Sequence, residues 1–292
     1  MRRKLIHLKV CIYTKGYIFE VQGRYLKQGE PVVLHVIIKG ITAALLMTVL
    51  AVTLVQPVHA TTSSLRFQSE QKFIPPIATG GENYGNSVAI DGDWMLIGSP
   101  HQDDSVANAG VAYVYQRQAD DTWLFYQRLV GADFSGYVSQ SGSSFGDAVA
   151  MSGEVIVIGA PGHNGSVDPI ADSGLAFVYV LNTSCSTSCW NPLQVLDAGN
   201  ERNTGDRFGD AVAIDASTIA VGAPLDEGVT ANQGAVYVFQ GSGASLNLVM
   251  RVRSNTAAPG GGYDDHFGNS VAVSGEFLVV GAYGIPELDL RT

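Results

Sequence analysis

One stretch of the chain has the spacing of a serine-hydrolase nucleophile. Residues Gly142-Ser143-Ser144-Phe145-Gly146 match Gly-x-Ser-x-Gly, a motif in which a strained turn between a strand and a helix exposes the serine. Here the stretch precedes a run of small and β-branched residues that predicts a strand. We therefore expect Ser144 to be a turn residue and the protein not to be an enzyme.

Two histidines follow similar turns. His101 comes after Gly-Ser-Pro and His163 after Gly-Ala-Pro, so both could lie at one rim of the molecule and form a site. No Asp, His and Ser set recurs at a spacing that would orient a general base. We interpret the two histidines as surface residues.

Two cysteines indicate the compartment. Cys185 and Cys189 are close in sequence, and in an exported protein this spacing predicts a local disulfide. A metal pair is the weaker alternative, because zinc needs about four ligands. Beyond residue 60 the chain offers only three scattered histidines, at positions 101, 163 and 266.

The N-terminal segment, residues 1–60, resembles a leader. An apolar run at 41–55 follows Lys39, and Val58 and Ala60 stand at −3 and −1 of a potential cut after Ala60. These features predict a secretory signal peptide and an extracellular, cell-surface or periplasmic protein; an uncleaved membrane anchor is the alternative. Because the basic region before the apolar run is unusually long, we expect translation to start downstream of Met1.

Residues 61–292 repeat one pattern four times. Each copy opens with an aromatic residue and a glycine, and a second glycine follows the first at the same interval in every copy, while the spacing between successive copies varies. The copies are Tyr84, Gly85 and Gly98; Phe145, Gly146 and Gly159; Phe208, Gly209 and Gly222; and Phe267, Gly268 and Gly281. A fixed inner spacing with variable outer spacing indicates a rigid hairpin joined by tolerant loops.

Each repeat predicts four antiparallel strands. Two runs rich in β-branched residues lie between the paired glycines, a third run has aromatic residues at alternate positions, and a fourth, more polar run resembles an exposed edge strand protected by Arg128, Arg251 or Arg253. We expect the aromatic residues of the third run to pack against the neighbouring sheet. Such sheets must cover one another, which predicts an all-β fold, a β-propeller of four-stranded antiparallel blades.

The paired motifs resemble a known family. Phe145-Gly146 with Gly159-Ala160-Pro161, and Phe208-Gly209 with Gly222-Ala223-Pro224, are similar to the FG-GAP repeats of integrin α-chains. The resemblance covers about residues 65–283. It implies a propeller, usually of seven blades, that is commonly extracellular and used for adhesion or ligand binding, and in bacteria it implies an exported or cell-surface protein.

The calcium loop of many blades in that family has no counterpart here. The resemblance places it between the first two strands, where this chain has short turns with one or two carboxylates, whereas calcium takes 6 to 8 oxygen ligands. The acids of these turns are Asp91, Asp93, Glu154, Asp215 and Glu276. The loop acids Asp103, Asp104, Asp226 and Glu227 are weaker metal candidates, which we interpret as solvated. We expect no cofactor, with calcium as the alternative.

The fourth repeat lacks its later strands. No third aromatic strand follows Gly281, which predicts an open or partial arc of about three and a half blades. The segment from Leu65 to Phe73 resembles an outer strand that could complete the last blade. Truncation is the favoured explanation; a piece of a longer propeller and assembly with another copy are the alternatives.

Charge restricts the partners. Residues 61–292 carry 9 basic and 25 acidic side chains, too few cations for a nucleic-acid surface. We expect an exported, noncatalytic binding or adhesion protein whose rim loops contact a protein or a surface carbohydrate, and a membrane only through an uncleaved leader. The alternatives are a propeller of, or accessory to, a polysaccharide-acting hydrolase or lyase, and a fragment without function of its own.

Overall fold

The computed structural model describes residues 7–14, 17–24, 35–36, 71–77, 80–165, 169–185, 189–227, 232–242, 245–254 and 265–283. The apolar run at 41–55 and the predicted cleavage site after Ala60 lie outside these residues. Within them, no helix is long and apolar enough to cross a bilayer.

Four antiparallel sheets, here called blades 1 to 4, follow the four repeats. Blade 1 contains β4 (Val88–Asp91), β5 (Trp94–Ser99), β6 (Val111–Arg117) and β7 (Trp123–Leu129). Blade 2 contains β8 (Val149–Ser152), β9 (Val155–Ala160), β10 (Leu175–Leu181) and β11 (Trp190–Leu196). Blade 3 contains β12 (Ala211–Asp215), β13 (Thr218–Ala223), β14 (Ala235–Ser242) and β15 (Ser245–Arg253). Two 3₁₀ turns, Gly131–Asp133 and Gly199–Glu201, lie between the blades.

Blade 4 takes strands from both ends of the chain. It contains β16 (Ser270–Ser274) and β17 (Phe277–Gly281), and β17 pairs with β1 (His7–Thr14). β1 pairs in turn with β2 (Tyr17–Arg24), and β2 pairs with β3 (His35–Val36). For the full-length chain, the prediction that the third strand of this blade is missing was therefore wrong, because β1 fills that place; cleavage after Ala60 would remove β1. Residues 71–73 of the predicted outer strand are not in a strand, and residues 65–70 lie outside the described part of the chain.

The blades stack in chain order around their first strands. β4, β8, β12 and β16 contact one another in succession, so the first strand of each blade is innermost. We call the face toward the preceding blade the leading face and the opposite face the trailing face. The predicted all-β architecture of four-stranded propeller blades in an open arc is confirmed.

Three apolar interfaces join the blades. At the first interface, Leu96 and Val114 of blade 1 meet Ile156, Phe177 and Tyr179 of blade 2. The second interface packs Val157 and Val178 against Phe208, Tyr237 and Phe239, and the third packs Val236 and Val238 against Phe267 and Leu278. The predicted packing of the third-strand aromatic residues against the neighbouring sheet is confirmed in blades 2 and 3.

Candidate functional site

The two ends of the blades differ in loop length. The first and second strands are joined by two-residue turns, for example between Asp91 and Trp94, whereas eleven residues separate β5 from β6 and nineteen separate β7 from β8. Antiparallel connectivity places the longer connections at the opposite end from the short turns. We call this end, formed by the described residues within 100–110, 130–148, 161–174, 197–210 and 224–234, the long-loop rim.

The repeated glycines hold the frame beneath this rim. The Gly146 amide donates to the Gly159 carbonyl at 2.9 Å, and the other three repeats form the same bond. A Cβ at Gly159 would lie 1.9 Å from the Gly209 carbonyl oxygen of the next blade. The constant interval thus allows the two glycines to form a hydrogen bond within one blade. Because the second glycine has no Cβ, the backbone of the next blade can approach it closely.

The repeated aromatic residues tie neighbouring loops together. The amides of Phe145, Phe208 and Phe267 donate to the carbonyls of Ala109, Ser173 and Gln233, which belong to the loops of the preceding blades. The residue before each aromatic residue has a left-handed backbone, and Ser144, at φ 55°, shares this conformation with Asn83, Arg207 and His266. The Ser144 hydroxyl lies 3.4 Å from the Gly142 carbonyl. In this position Ser144 is a turn residue of the repeat.

One polar side chain is buried at the same place in three of these loops. Gln102, His163 and Asp226 each follow the second glycine of their repeat at the same distance, and their carbonyls accept the amides of Gly110, Gly174 and Gly234. All three residues are buried. The backbone contact is therefore constant, while the side chain that occupies the buried position changes from blade to blade.

Blade 3 carries a charged cluster at this position. Asp226 is fully buried and accepts hydrogen bonds from the Tyr237 hydroxyl and from the guanidinium groups of Arg251 and Arg253. Arg251 also lies over the Tyr237 ring at 5.3 Å and bonds Glu201 at 2.6 Å. The interpretation of Arg251 and Arg253 as exposed edge charges, and of Asp226 as a solvated acid, was wrong because these groups neutralise one another inside the rim.

A second buried carboxylate lies beside this cluster. Asp206 accepts the Asn203 amide at 2.6 Å, and its Oδ1 has no hydrogen-bond partner among the described residues. Burial, together with the negative charges of Asp226 and Glu227, raises the Asp206 pKa from 3.8 to about 6. This carboxyl therefore titrates near neutral pH in the folded protein.

The two rim histidines have different surroundings. His163 is buried beside the rings of Tyr137 and Phe177, and its Nδ1 accepts the Gly165 amide at 3.0 Å. Burial lowers the His163 pKa to about 4, so the imidazole is neutral at pH 7. His101 is exposed and contacts Asn83 at 3.1 Å. The interpretation as surface residues holds for His101 and was wrong for His163, which packs inside its blade.

Two acids of the short turns, Asp91 and Asp215, contact the next blade. Asp91 accepts the Gly153 amide at 2.6 Å and Asp215 accepts the Gly275 amide at 2.5 Å. In the same place between blades 2 and 3, the Ala216 amide donates to the Ser152 hydroxyl at 3.3 Å. These side chains therefore connect blades.

Three other candidate ligands, Asp93, Asp103 and Asp104, also have protein partners. Asp93 pairs with Arg117 at 2.6 Å, Asp103 accepts the Asn108 amide, and Asp104 bonds Arg128 and Ser139. Asp104 is thus paired rather than merely solvated. In the described residues, no group of three or more His, Cys, Asp and Glu side chains is close enough to hold a metal ion. A disulfide joins Cys185 and Cys189, whose Cα atoms are 5.6 Å apart.

Sequence reasoning missed a glutamine clamp between outer strands. Gln127 donates to the Trp190 carbonyl at 2.9 Å and accepts the Trp190 amide at 3.0 Å. Gln194 forms the same pair with Leu246, and Gln71 with Trp123, at 2.8 to 3.2 Å. The sequence does contain a signal for this clamp, because Gln127 follows Trp123 and Gln194 follows Trp190 at the same spacing. The equivalent residue after Leu246 is Met250.

Comparison with known protein families finds one repeat family that matches the chain four times. The FG-GAP repeat matches residues 67–115, 123–179, 190–239 and 254–287, about two thirds of the chain. The second match begins at the outer strand of blade 1 and ends in the third strand of blade 2, so it includes the clamp residue Gln127. No curated protein matches the chain.

Proposed function

The chain belongs to the FG-GAP repeat family, and from that premise we propose that it is an exported, noncatalytic binding or adhesion protein. Its partner is a macromolecule, a protein or a surface carbohydrate, contacted by the long-loop rim. The observation that supports this proposal is the contrast between a repeated frame and unrepeated loops. Function in such folds is carried by loops on a rigid scaffold.

The rim offers exposed contact residues. Val106 and Val138 lie in two neighbouring loops, and both side chains are exposed, that of Val138 by 61%. Beneath them the loops are held by buried polar groups and by hydrogen bonds between blades. Little conformational entropy is therefore lost when such loops bind, which favours recognition by a preformed surface.

A pull-down tests the proposed binding surface. The full chain is immobilised and incubated with cell-envelope material, in parallel with the rim variant V106D/V138D. The control variant L124D/L248D carries the same charges on exposed outer-strand positions away from the rim. We expect the rim variant to lose the captured component and the control to retain it; equal capture by both variants would refute the rim as the contact surface.

Two further measurements test export and the absence of catalysis. An N-terminal peptide beginning at Thr61 in the exported product is expected, whereas a product retaining residues 1–38 would contradict the leader. Purified protein is expected to turn over no glycan or ester. Turnover that is lost in a H101A/H163A variant that still folds would replace the binding proposal with an enzymatic one.

A further inference from the structure

Two stretches of the chain have the pattern Asn-x-Ser, the acceptor pattern for asparagine-linked glycosylation. Residues Asn164-Gly165-Ser166 begin in the long-loop rim, and Asn182-Thr183-Ser184 lie in the hairpin between β10 and β11 of blade 2. Both stretches follow the predicted cleavage site, so the exported chain contains them. The structure gives the two asparagines different surroundings.

We propose that Asn182 accepts an oligosaccharide in the exported protein and that Asn164 does not. The proposal rests on the export proposed above. The sugar donor is an oligosaccharide linked to a polyprenyl diphosphate, and an oligosaccharyltransferase joins the Asn182 Nδ2 to C1 of its first sugar. The bond between C1 and the diphosphate oxygen breaks, the lipid diphosphate leaves, and one amide proton passes to a base of the enzyme.

The acceptor pattern at Asn182 is accessible. Asn182, Thr183 and Ser184 are all exposed, and antiparallel connectivity places their hairpin at the end of blade 2 opposite the long-loop rim. The Asn182 Oδ1 accepts the Ser184 amide at 3.0 Å, which brings the two recognition residues together. The Asn182 Nδ2 forms no hydrogen bond with a described residue, so the atom to be modified is available. A glycan at this end leaves the rim open to its partner.

The base of the hairpin is fixed while its acceptor pattern faces solvent. The Asn182 amide donates to the Cys189 carbonyl at 2.7 Å, and the disulfide between Cys185 and Cys189 closes the loop directly after Ser184. Trp190, the next residue along the chain, is buried. Because disulfides persist in the oxidising compartments of exported proteins, the loop carries a second feature that suits the proposed export.

Asn164 is tied into its loop instead. It is half-buried, and it follows the buried His163. Its amide donates to the Gln140 Oε1 at 2.9 Å and its carbonyl accepts the Ile170 amide at 2.7 Å. Its Oδ1 accepts the Asp172 amide at 2.8 Å, so the side chain is held by a residue outside the acceptor pattern. An enzyme must open this loop to reach Asn164.

Blade 1 shows that a turn of this kind does not need an asparagine. In its hairpin between β6 and β7, Asp120 accepts the Thr122 amide at 3.1 Å, the same contact between a side chain and the amide two residues later. Asn182→Asp should therefore keep the turn and remove only the Nδ2. This variant separates a structural role of the side chain from its modification.

Glycan transfer to the purified full-length protein tests the site. The folded protein is incubated with an oligosaccharyltransferase and its lipid-linked oligosaccharide, and chymotryptic peptides are analysed by mass spectrometry. We expect one glycan on the peptide that contains Asn182 and none on the peptide that contains Asn164. Asn182→Asp and Ser184→Ala should each abolish the mass shift, with the circular dichroism of wild type. Thr183→Ala keeps the acceptor pattern and should still be modified.

Several outcomes would overturn the proposal. They are a bare Asn182 in this assay, equal modification of Asn164 and Asn182, and a glycan that persists in Ser184→Ala. An exported product recovered from its host without a glycan on Asn182 would overturn it as well. Failure to find any exported product would count against the proposed export alone, and the assay on the purified protein would then decide the site.

Discussion

The second and third interfaces join blades of the same design with different side chains. At the second, Phe208 is fully buried beside Tyr237, and Gln194 clamps the next outer strand. At the third, Phe267 remains 7% exposed, Met250 replaces the glutamine, and Ala220, Val238 and Leu278 line a groove. The glycine contact is common to both, so it sets the approach of the blades while the side chains determine how strongly they adhere.

Removal of the motif aromatic residue should give the largest difference between the two interfaces. We expect Phe208→Ala to lower the free energy of unfolding by about 3–5 kcal/mol, because a fully buried ring leaves a cavity. Phe267→Ala should cost about 1–2 kcal/mol less, since its surroundings are already partly open. Urea titration followed by circular dichroism measures both. A larger loss for Phe267→Ala would invert the comparison.

The glycine contact should be equally sensitive at both interfaces. Gly159→Ala and Gly222→Ala each place a Cβ 1.9 to 2.0 Å from a carbonyl oxygen of the next blade, so the backbone must move. We expect each to cost about 3 kcal/mol. Gly131→Ala is the control, because the nearest neighbours of its Cβ would be side-chain ring atoms rather than backbone, of Phe177 at 3.3 Å and of Phe145 at 3.7 Å. If Gly222→Ala is tolerated as well as the control, the third interface does not depend on close backbone approach.

The frame could be predicted from sequence because it repeats. The fixed interval between the paired glycines and the alternating aromatic residues of the third strands recur in the chain, and recurrence reveals what each position must satisfy. The rim could not be predicted in the same way. Gln102, His163 and Asp226 occupy one buried position with unrelated chemistry, and the partners of Asp226 at 251 and 253 approach it only through strand pairing. The contribution of β1 to blade 4 had no counterpart in the repeat.

The second interface also carries a titrating carboxyl beside Tyr237. Because burial raises the Asp206 pKa above its unfolded value, the folded state binds the extra proton, and the stabilisation present near pH 4 is lost as the pH rises through about 6. Asp206→Asn should remove this slope and raise the free energy of unfolding at pH 7 by on the order of 2 kcal/mol. Stability curves at pH 4 and pH 7 measure the effect, and an unchanged slope would contradict it.

His163 provides the opposite slope in blade 2. Its lowered pKa means that the folded state excludes a proton, so its contribution is present above pH 6.5 and is lost as the pH falls toward about 4. His163→Gln copies the residue that blade 1 has at this position, Gln102, and should remove the loss at acid pH. If His163→Gln and Asp206→Asn shift the pH dependence in the same direction, the burial of one of these groups is wrongly assigned.

The glutamine clamp should give the smallest effect and the sharpest test of the comparison. Gln194→Met gives the second interface the residue that the third has at Met250, and it removes the partners of the Leu246 amide and carbonyl. Because water can replace these bonds at a half-buried site, we expect a loss of about 1 kcal/mol. Gln71→Met should cost less, since its bonds to Trp123 are exposed.

Met250→Gln should stay within about 0.5 kcal/mol of wild type. A free energy of unfolding well above that range would show that the backbone of an outer strand lies within hydrogen-bond reach of position 250. The outer strands at the third interface would then differ from those at the second by a single side chain.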